Sequence, residues 1–152
     1  MEERIQVPKG EGDNLETPPW LFERLNRRFR FTWDAAASAE NSKCGPITDC
    51  LNVSWLDMSQ DGTVFMNPPY SDPAPFLEKA ANAALFYHVP TVALLKGDPS
   101  TRWWNAWVRP SATLVWIPRR IRFYYKGLPT INISNFPSVL AFYHGMNWAE
   151  PT

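Results

Sequence analysis

Residues 65–76 read FMNPPYSDPAPF. They close a short β-branched run, GTVFMN, with two residues that carry no backbone N–H, and they open a helix-like segment, SDPAPFLEKAANAALFYH. A strand stopped by consecutive prolines and followed by a helix is half of a βα unit. The expected helix has Asp72 as N-cap and Pro73 at its first position, with Phe76, Leu77, Ala80, Ala84 and Leu85 as the apolar stripe. Downstream, TVALLK is a near-continuous apolar strand of the kind covered on both faces. DPSTRWWNAWVRP is a helix from about Ser100 to Arg109, stopped by Pro110, and ATLVWIP, RIRFYY and PSVLAFYH are further strands.

Upstream, ETPPWLFERLNRRF reads as a helix with Thr17 as N-cap and Pro18 at the first position. Leu21, Phe22, Leu25 and Phe29 recur at helical spacing, while Arg24, Arg27 and Arg28 fall mostly on the other face. FRFTWDAA is a short strand ending at Asp34, and a loop of small and polar residues follows to about residue 48. This alternation specifies an α/β fold: a central, mostly parallel sheet with helices on both faces. The strands after residue 112 follow one another without helices, so that end is expected to be antiparallel. Residues 1–14 read as a flexible arm and residues 15–152 as one domain.

The composition agrees with a folded domain. The chain has 152 residues, 45% hydrophobic and 14% aromatic, enough for a real core and incompatible with disorder. Cys44 and Cys50 have no CxxC spacing and read as two reduced thiols. No apolar run is long enough to span a bilayer, and the charged N-terminus has no signal-peptide core, so a soluble cytoplasmic protein is expected. The net charge is zero but unevenly spread. Residues 31–90 carry two basic and seven acidic side chains, and residues 91–152 carry seven basic and two acidic. An acidic middle suits a cationic small molecule and a basic C-terminal part suits a polyanion, although chance segregation on a solvated surface gives the same counts.

The residues Asn67, Pro68, Pro69 and Tyr70 sit at a strand end, where open α/β sheets bind ligands. The prolines stiffen the loop and leave their carbonyls as acceptors. The Asn67 side-chain oxygen and the Pro68 carbonyl can take the two N–H groups of an exocyclic amine, and Tyr70 can stack on the ring that carries it. The plain alternative is a Pro-stiffened turn with an exposed Tyr.

The NPPY box after a strand resembles the catalytic motif of S-adenosylmethionine-dependent amino-group methyltransferases. The wider pattern is similar to the phage-type DNA N6-adenine methyltransferases. The residues that carry it are TPPWLFERL, FTWDAAAS, DCLNVSW, VFMNPPYS, VALLKGDPSTRWW and IPRRIRF, over roughly residues 15 to 145.

The resemblance implies a class I methyltransferase-like, Rossmann-like fold, with S-adenosylmethionine as cofactor and a flipped DNA adenine as substrate. Asn67 and Pro68 would bind the N6 amine, Pro69 would keep the loop rigid and Tyr70 would stack on the base. Thr17 and Pro18 match the family's segment at the methionine part of the cofactor. Asp34, followed by Ala35 and Ala36, matches the acidic cofactor motif, with Asp49 and Asn52 as further candidates for the ribose or adenine. Related enzymes carry a Gly-rich turn after that strand, and DAAASAE has no glycine, so no position there takes φ > 0 without strain. Arg102, Arg119, Arg120, Arg122 and Lys126 are candidate phosphate contacts. Trp103, Trp104 and Trp107 read as core. No metal is required, and no metal-ligand pattern is present. An NPPY box also serves methylation of RNA bases or of protein Gln amides. A catalytically degenerate nucleic-acid-binding module of the same fold is the rival of a different class.

Overall fold

The computed structural model describes residues 2–38 and 40–144. Residues 145–152 of the domain expected from the sequence lie outside the described residues. Strands β1 (Phe31–Asp34), β2 (Thr63–Met66), β3 (Thr91–Lys96), β4 (Ala112–Trp116) and β7 (Ser138–Tyr143) form one sheet, in the order β1-β2-β3-β7-β4. A separate hairpin pairs β5 (Tyr124–Tyr125) with β6 (Leu128–Pro129). The first three strands pair in parallel. Because β7 is antiparallel to both β3 and β4, β4 points the same way as the first three. The sheet is therefore mostly parallel, and its antiparallel character is confined to β7, inserted between two parallel strands. This topology puts the carboxyl ends of β1, β2, β3 and β4 along one edge.

Alternation along the strands feeds two cores. Val64, Met66, Ala93, Leu95, Val139, Ala141 and Tyr143 pack on one face, beneath α2 (Trp55–Ser59), α3 (Ala74–Tyr87) and a π-helical turn (Trp104–Val108). Phe65, Val92, Leu94, Leu140 and Phe142 pack on the other with Leu21, Phe22 and Leu25 of α1 (Pro19–Phe29). The three Trp residues behave as core: Trp104 is buried, and Trp103 and Trp107 pack against the first cluster.

Both proline-led helices begin one residue later than expected. Pro18 is the extended cap of α1, because a residue preceding proline is kept out of the helical region, and Pro19 is the first helical residue. Thr17 is therefore not the cap, and its side chain is free for another partner. Pro73 caps α3, and Asp72 lies outside it. The contact of α3 with the sheet centres on Leu77, Ala80, Ala81, Ala83 and Ala84, and Leu85 faces solvent. RIRFYY is not a strand over most of its length. After Pro118 the chain leaves the sheet and buries Ile121 and Phe123 in the second core, and only its last two residues pair. Five-residue α2 is too short to show a helical period, and sequence reasoning missed it.

Within the segment read as an arm, residues 1–14, Ile5, Glu11 and Asp13 hydrogen-bond to the rest of the chain, and Glu16 does so just beyond it. Ile5 pairs with the 129–131 backbone through hydrogen bonds of 2.9 Å, and Glu16 exchanges two with Tyr124, at 2.7 and 3.0 Å.

Candidate active site

Strand β2 delivers Asn67 to the carboxyl edge between the ends of its neighbours β1 and β3. The Asn67 side-chain nitrogen donates to the hydroxyl of Thr17 at 3.1 Å. That bond orients the amide: its nitrogen faces Thr17, and Oδ1, which is not buried, accepts from no described residue. The carbonyl of buried Pro68 likewise accepts no hydrogen bond from the described residues. Two adjacent acceptors thus have no donor among the described residues, on a loop whose φ angles are held by proline rings; Pro68 itself does not line the cleft beside it.

Tyr70 is half-buried and anchored. Its hydroxyl donates to the Leu94 carbonyl at 3.2 Å, and its ring meets Phe123 and Phe136 edge-on, with centroids 6.1 and 5.6 Å away. Burial pushes its phenol far above the usual range, so it stays neutral. The next residue, Ser71, gives its backbone N–H to Asp13 at 3.0 Å and its hydroxyl to the other oxygen of the same carboxylate.

Asn67 and Pro69 open onto a cleft of about 240 Å³ that Thr17, Asp34, Ala36 and Phe76 also line. Three carboxylates, Asp13, Glu16 and Asp34, lie in its wall and no Lys or Arg does. Asp34 is 6% exposed, and one of its oxygens accepts the Lys43 backbone N–H at 3.0 Å. Burial raises its pKa to about 6, against the pull of the Lys43 amide and charge. An acidic wall containing a buried carboxylate that is largely ionised near neutral pH at the cost of its desolvation fits a cationic ligand better than an anionic one.

The glycine-free turn needs no glycine. Its backbone closes through Ala37 N–H to the Asp34 carbonyl at 3.3 Å, and none of residues 35–38 takes a positive φ. The close approach comes instead from Gly45, at φ 75°, whose missing Cβ would collide with the Thr32 carbonyl. This lets residues 43–45 lie along β1, where the Cys44 carbonyl accepts the Asp34 N–H at 3.1 Å.

The structure thus gathers Thr17, Asp34, Ala36, Asn67 and Pro69 at one cleft. Pro18 and Ala35 are buried behind it. Asp49 and Asn52 are exposed and do not line it; the Asp49 carboxylate is used in its own turn, accepting from Leu51 N–H at 3.2 Å and from the Asn52 amide at 2.5 Å. Asp13, Glu16 and Asn41 also line the cleft, and no pattern in the sequence marked them; Phe76, expected on the apolar stripe of the helix, lines it too.

Among the basic candidates, Arg102, Arg119 and Arg120 are exposed on segments that follow β3 and β4, at the same edge as Asn67. Lys126 is exposed in the hairpin turn, 5.6 Å from the Tyr125 ring. Arg122 is engaged within the protein: its guanidinium donates to the Thr130 and Ile131 carbonyls, both at 2.7 Å. Both cysteines are free, and burial pushes Cys44 to about 11 and Cys50 to about 12. Among the described residues no group of three or more His, Cys, Asp or Glu could hold a metal ion, and no helix is long and apolar enough to cross a membrane.

Comparison with known proteins agrees with this arrangement. The family model described as DNA N-6-adenine-methyltransferase (Dam) matches residues 4–149. A DNA N-6-adenine-methyltransferase of Haemophilus phage HP1 (strain HP1c1) is 31% identical over 123 residues, which cover 77% of this chain and 69% of that protein. A protein of the same name from Escherichia phage T1 is 32% identical over 116 residues, covering 73% of this chain and 47% of its own length. With the Asn67–Tyr70 box at the end of β2, an acidic cleft beside it and a family match over nearly the whole chain, this protein belongs to the DNA N-6-adenine-methyltransferase (Dam) family.

Proposed function

We propose that this protein transfers a methyl group from S-adenosylmethionine to the N6 amine of adenine in DNA. The observation that carries the reading is the Thr17–Asn67 hydrogen bond, which leaves Asn67 Oδ1 to accept one N–H of an amine; the Pro68 carbonyl, which has no donor among the described residues, would accept the other. Accepting both draws the nitrogen lone pair out of conjugation with the ring. The Asn67 amide is neither an acid nor a base near neutral pH, so its contribution is orientation and electrostatics. Tyr70, neutral, fixed by Leu94 and packed edge-on against Phe123 and Phe136, does not line the cleft and would stack on the base only as it enters beside the loop.

The cofactor supplies, when bound, a methyl group made electrophilic by a sulfonium centre. Asp34, Thr17 and Ala36 would hold it, and the carboxylates of the cleft favour its positive charge. Because Pro68 is buried and the loop recessed, the target adenine has to leave the duplex stack to reach the acceptors. Arg102, Arg119, Arg120 and Lys126 would neutralise phosphates around it.

Incubation with tritium-labelled cofactor and DNA of defined sequence, followed by mapping of the modified base, tests the reading. Asn67→Ala should lower kcat by about a hundredfold or more while cofactor affinity stays within about threefold. Full turnover in that variant would overturn the assigned role.

A further inference from the structure

The last turn of α3 carries Leu85, Phe86 and Tyr87, exposed at 69%, 66% and 57%. Consecutive residues on a helix point about 100° apart, so the three cannot all face the sheet, and that contact is already made by Leu77, Ala80, Ala81 and Ala84. Together they leave on the order of 350 Å² of apolar surface in water, within the upper range for a monomer. Residues 80–95 contain no Asp, Glu, Lys or Arg. Nothing in that stretch draws a polyanion or a charged peptide.

A groove of about 580 Å³ lies beside this turn. Ala81 and Leu85 line it from α3, and Trp107 and Pro110 from the segment that leads into β4. His88 and His144, whose rings stand 5.0 Å apart, line it as well, and no Asp, Glu, Lys or Arg does. One surface thus carries projecting aromatic side chains and an uncharged hollow that can take them. Those are the two halves of an isologous contact, in which a patch meets its own copy across a two-fold axis. The exposed apolar area is close to half of the roughly 800 Å² that each partner covers in a stable dimer, and the rim of the groove adds to it.

The surface lies at the edge of the sheet opposite the candidate active site. Thr91 at the start of β3 pairs with Tyr143 at the end of β7, and Tyr143 pairs with Ala112 at the start of β4. Asn67 follows the other end of β2. A partner seated here covers neither the NPPY loop nor the cleft.

We propose that this surface joins two copies of the chain, with Phe86 and Tyr87 of each copy seated at the groove of the other. A patch without charge meets its own copy with no like-charge repulsion. The Tyr87 hydroxyl and the imidazoles supply donors and acceptors at the rim of the contact. The contact does not depend on the reaction, because both clefts stay open and face away from the two-fold axis.

Sedimentation equilibrium of the unaltered protein should show the mass rising from 17.5 kDa toward twice that value, with a Kd of about 100 µM or tighter. The double variant Leu85→Glu/Phe86→Glu alters only exposed positions. It should weaken association by about tenfold or more, while the thermal midpoint of the dilute protein is unchanged and turnover per chain stays within about twofold. Amide hydrogen exchange in residues 81–88 of the unaltered protein should slow as concentration rises, and that in residues 65–76 should not. A weaker association, a smaller loss in the double variant, or protection that appears only outside residues 81–88 would overturn the proposal. Absence of methyl transfer by a protein that dimerises in this way would count against the proposed reaction and leave the contact standing.

Discussion

Thr17 and Asn67 stand 50 positions apart and share one hydrogen bond of 3.1 Å, from the Asn67 amide nitrogen to the Thr17 hydroxyl. Through it the turn that opens α1 decides which end of the amide at the tip of β2 faces the cleft. A primary amide flipped the other way would present two donors where the reaction needs an acceptor.

Replacing Thr17 by Val should therefore release the amide. A hydrogen bond worth about 1 kcal/mol corresponds to roughly a fivefold fall in single-turnover rate. Thr17→Ser keeps the hydroxyl and should restore most of the rate. Equal rates for Thr17→Val and the unaltered protein would remove Thr17 from the positioning role.

Asp34 makes a prediction about pH. The unfolded chain releases this proton near 3.8 and the folded chain near 6, so between those values the folded state binds more protons. Stability should consequently fall as pH rises through that window and level off above it. The ionised, buried carboxylate then costs about 3 kcal/mol near neutrality. Asp34→Asn should raise the urea midpoint at pH 8 with little effect at pH 4, and should weaken cofactor binding by calorimetry. A loss of stability at pH 8 would mean that the carboxylate is structural.

Cofactor binding by the unaltered protein should weaken as pH falls below about 6, where Asp34 takes up its proton. The Asp34→Asn protein should lack that step. Titration calorimetry at pH 5 and pH 8 reads both.

Arg119 and Arg122 should separate cleanly. Arg119→Ala should weaken DNA binding and reduce the slope of log K against log salt by about one unit. Arg122→Ala leaves two backbone carbonyls without their donor, so it should lower the thermal midpoint while leaving that slope within error. A reduced slope in Arg122→Ala would return it to the phosphate contacts.

Asp13 holds both polar groups of Ser71, the residue next to the box. Asp13→Ala should cost about 1 kcal/mol of stability. It should also speed proteolytic cleavage near residues 5–16, because that contact ties the segment to the loop after β2. An unchanged cleavage rate would show that the segment is held by its backbone pairing alone.

Strands and helices were legible wherever periodicity was long or the chain apolar on both faces, as in TVALLK and PSVLAFYH, because burial is recorded directly in residue type. The box itself could be singled out because its residue types are local: two prolines, an amide and a ring stand within four positions. RIRFYY misled because alternation shows which side chains are buried but not whether the backbone has a partner strand, and here Ile121 and Phe123 are buried without one. Arg122 and Asp49 misled for a related reason. Charge attracts nucleic acid or ligand only when no nearer partner takes it, and each has a partner within the protein.

The sequence by itself determined the α/β class and the strand that leads into Asn67, since these follow from local sterics and apolar patterning. Only the tertiary structure decided that β7 enters between β3 and β4, that Thr17 turns the Asn67 amide, and that residues 13–17 complete the wall of the cleft. Those are contacts between distant segments, and they depend on how the chain closes on itself rather than on the identity of any one stretch.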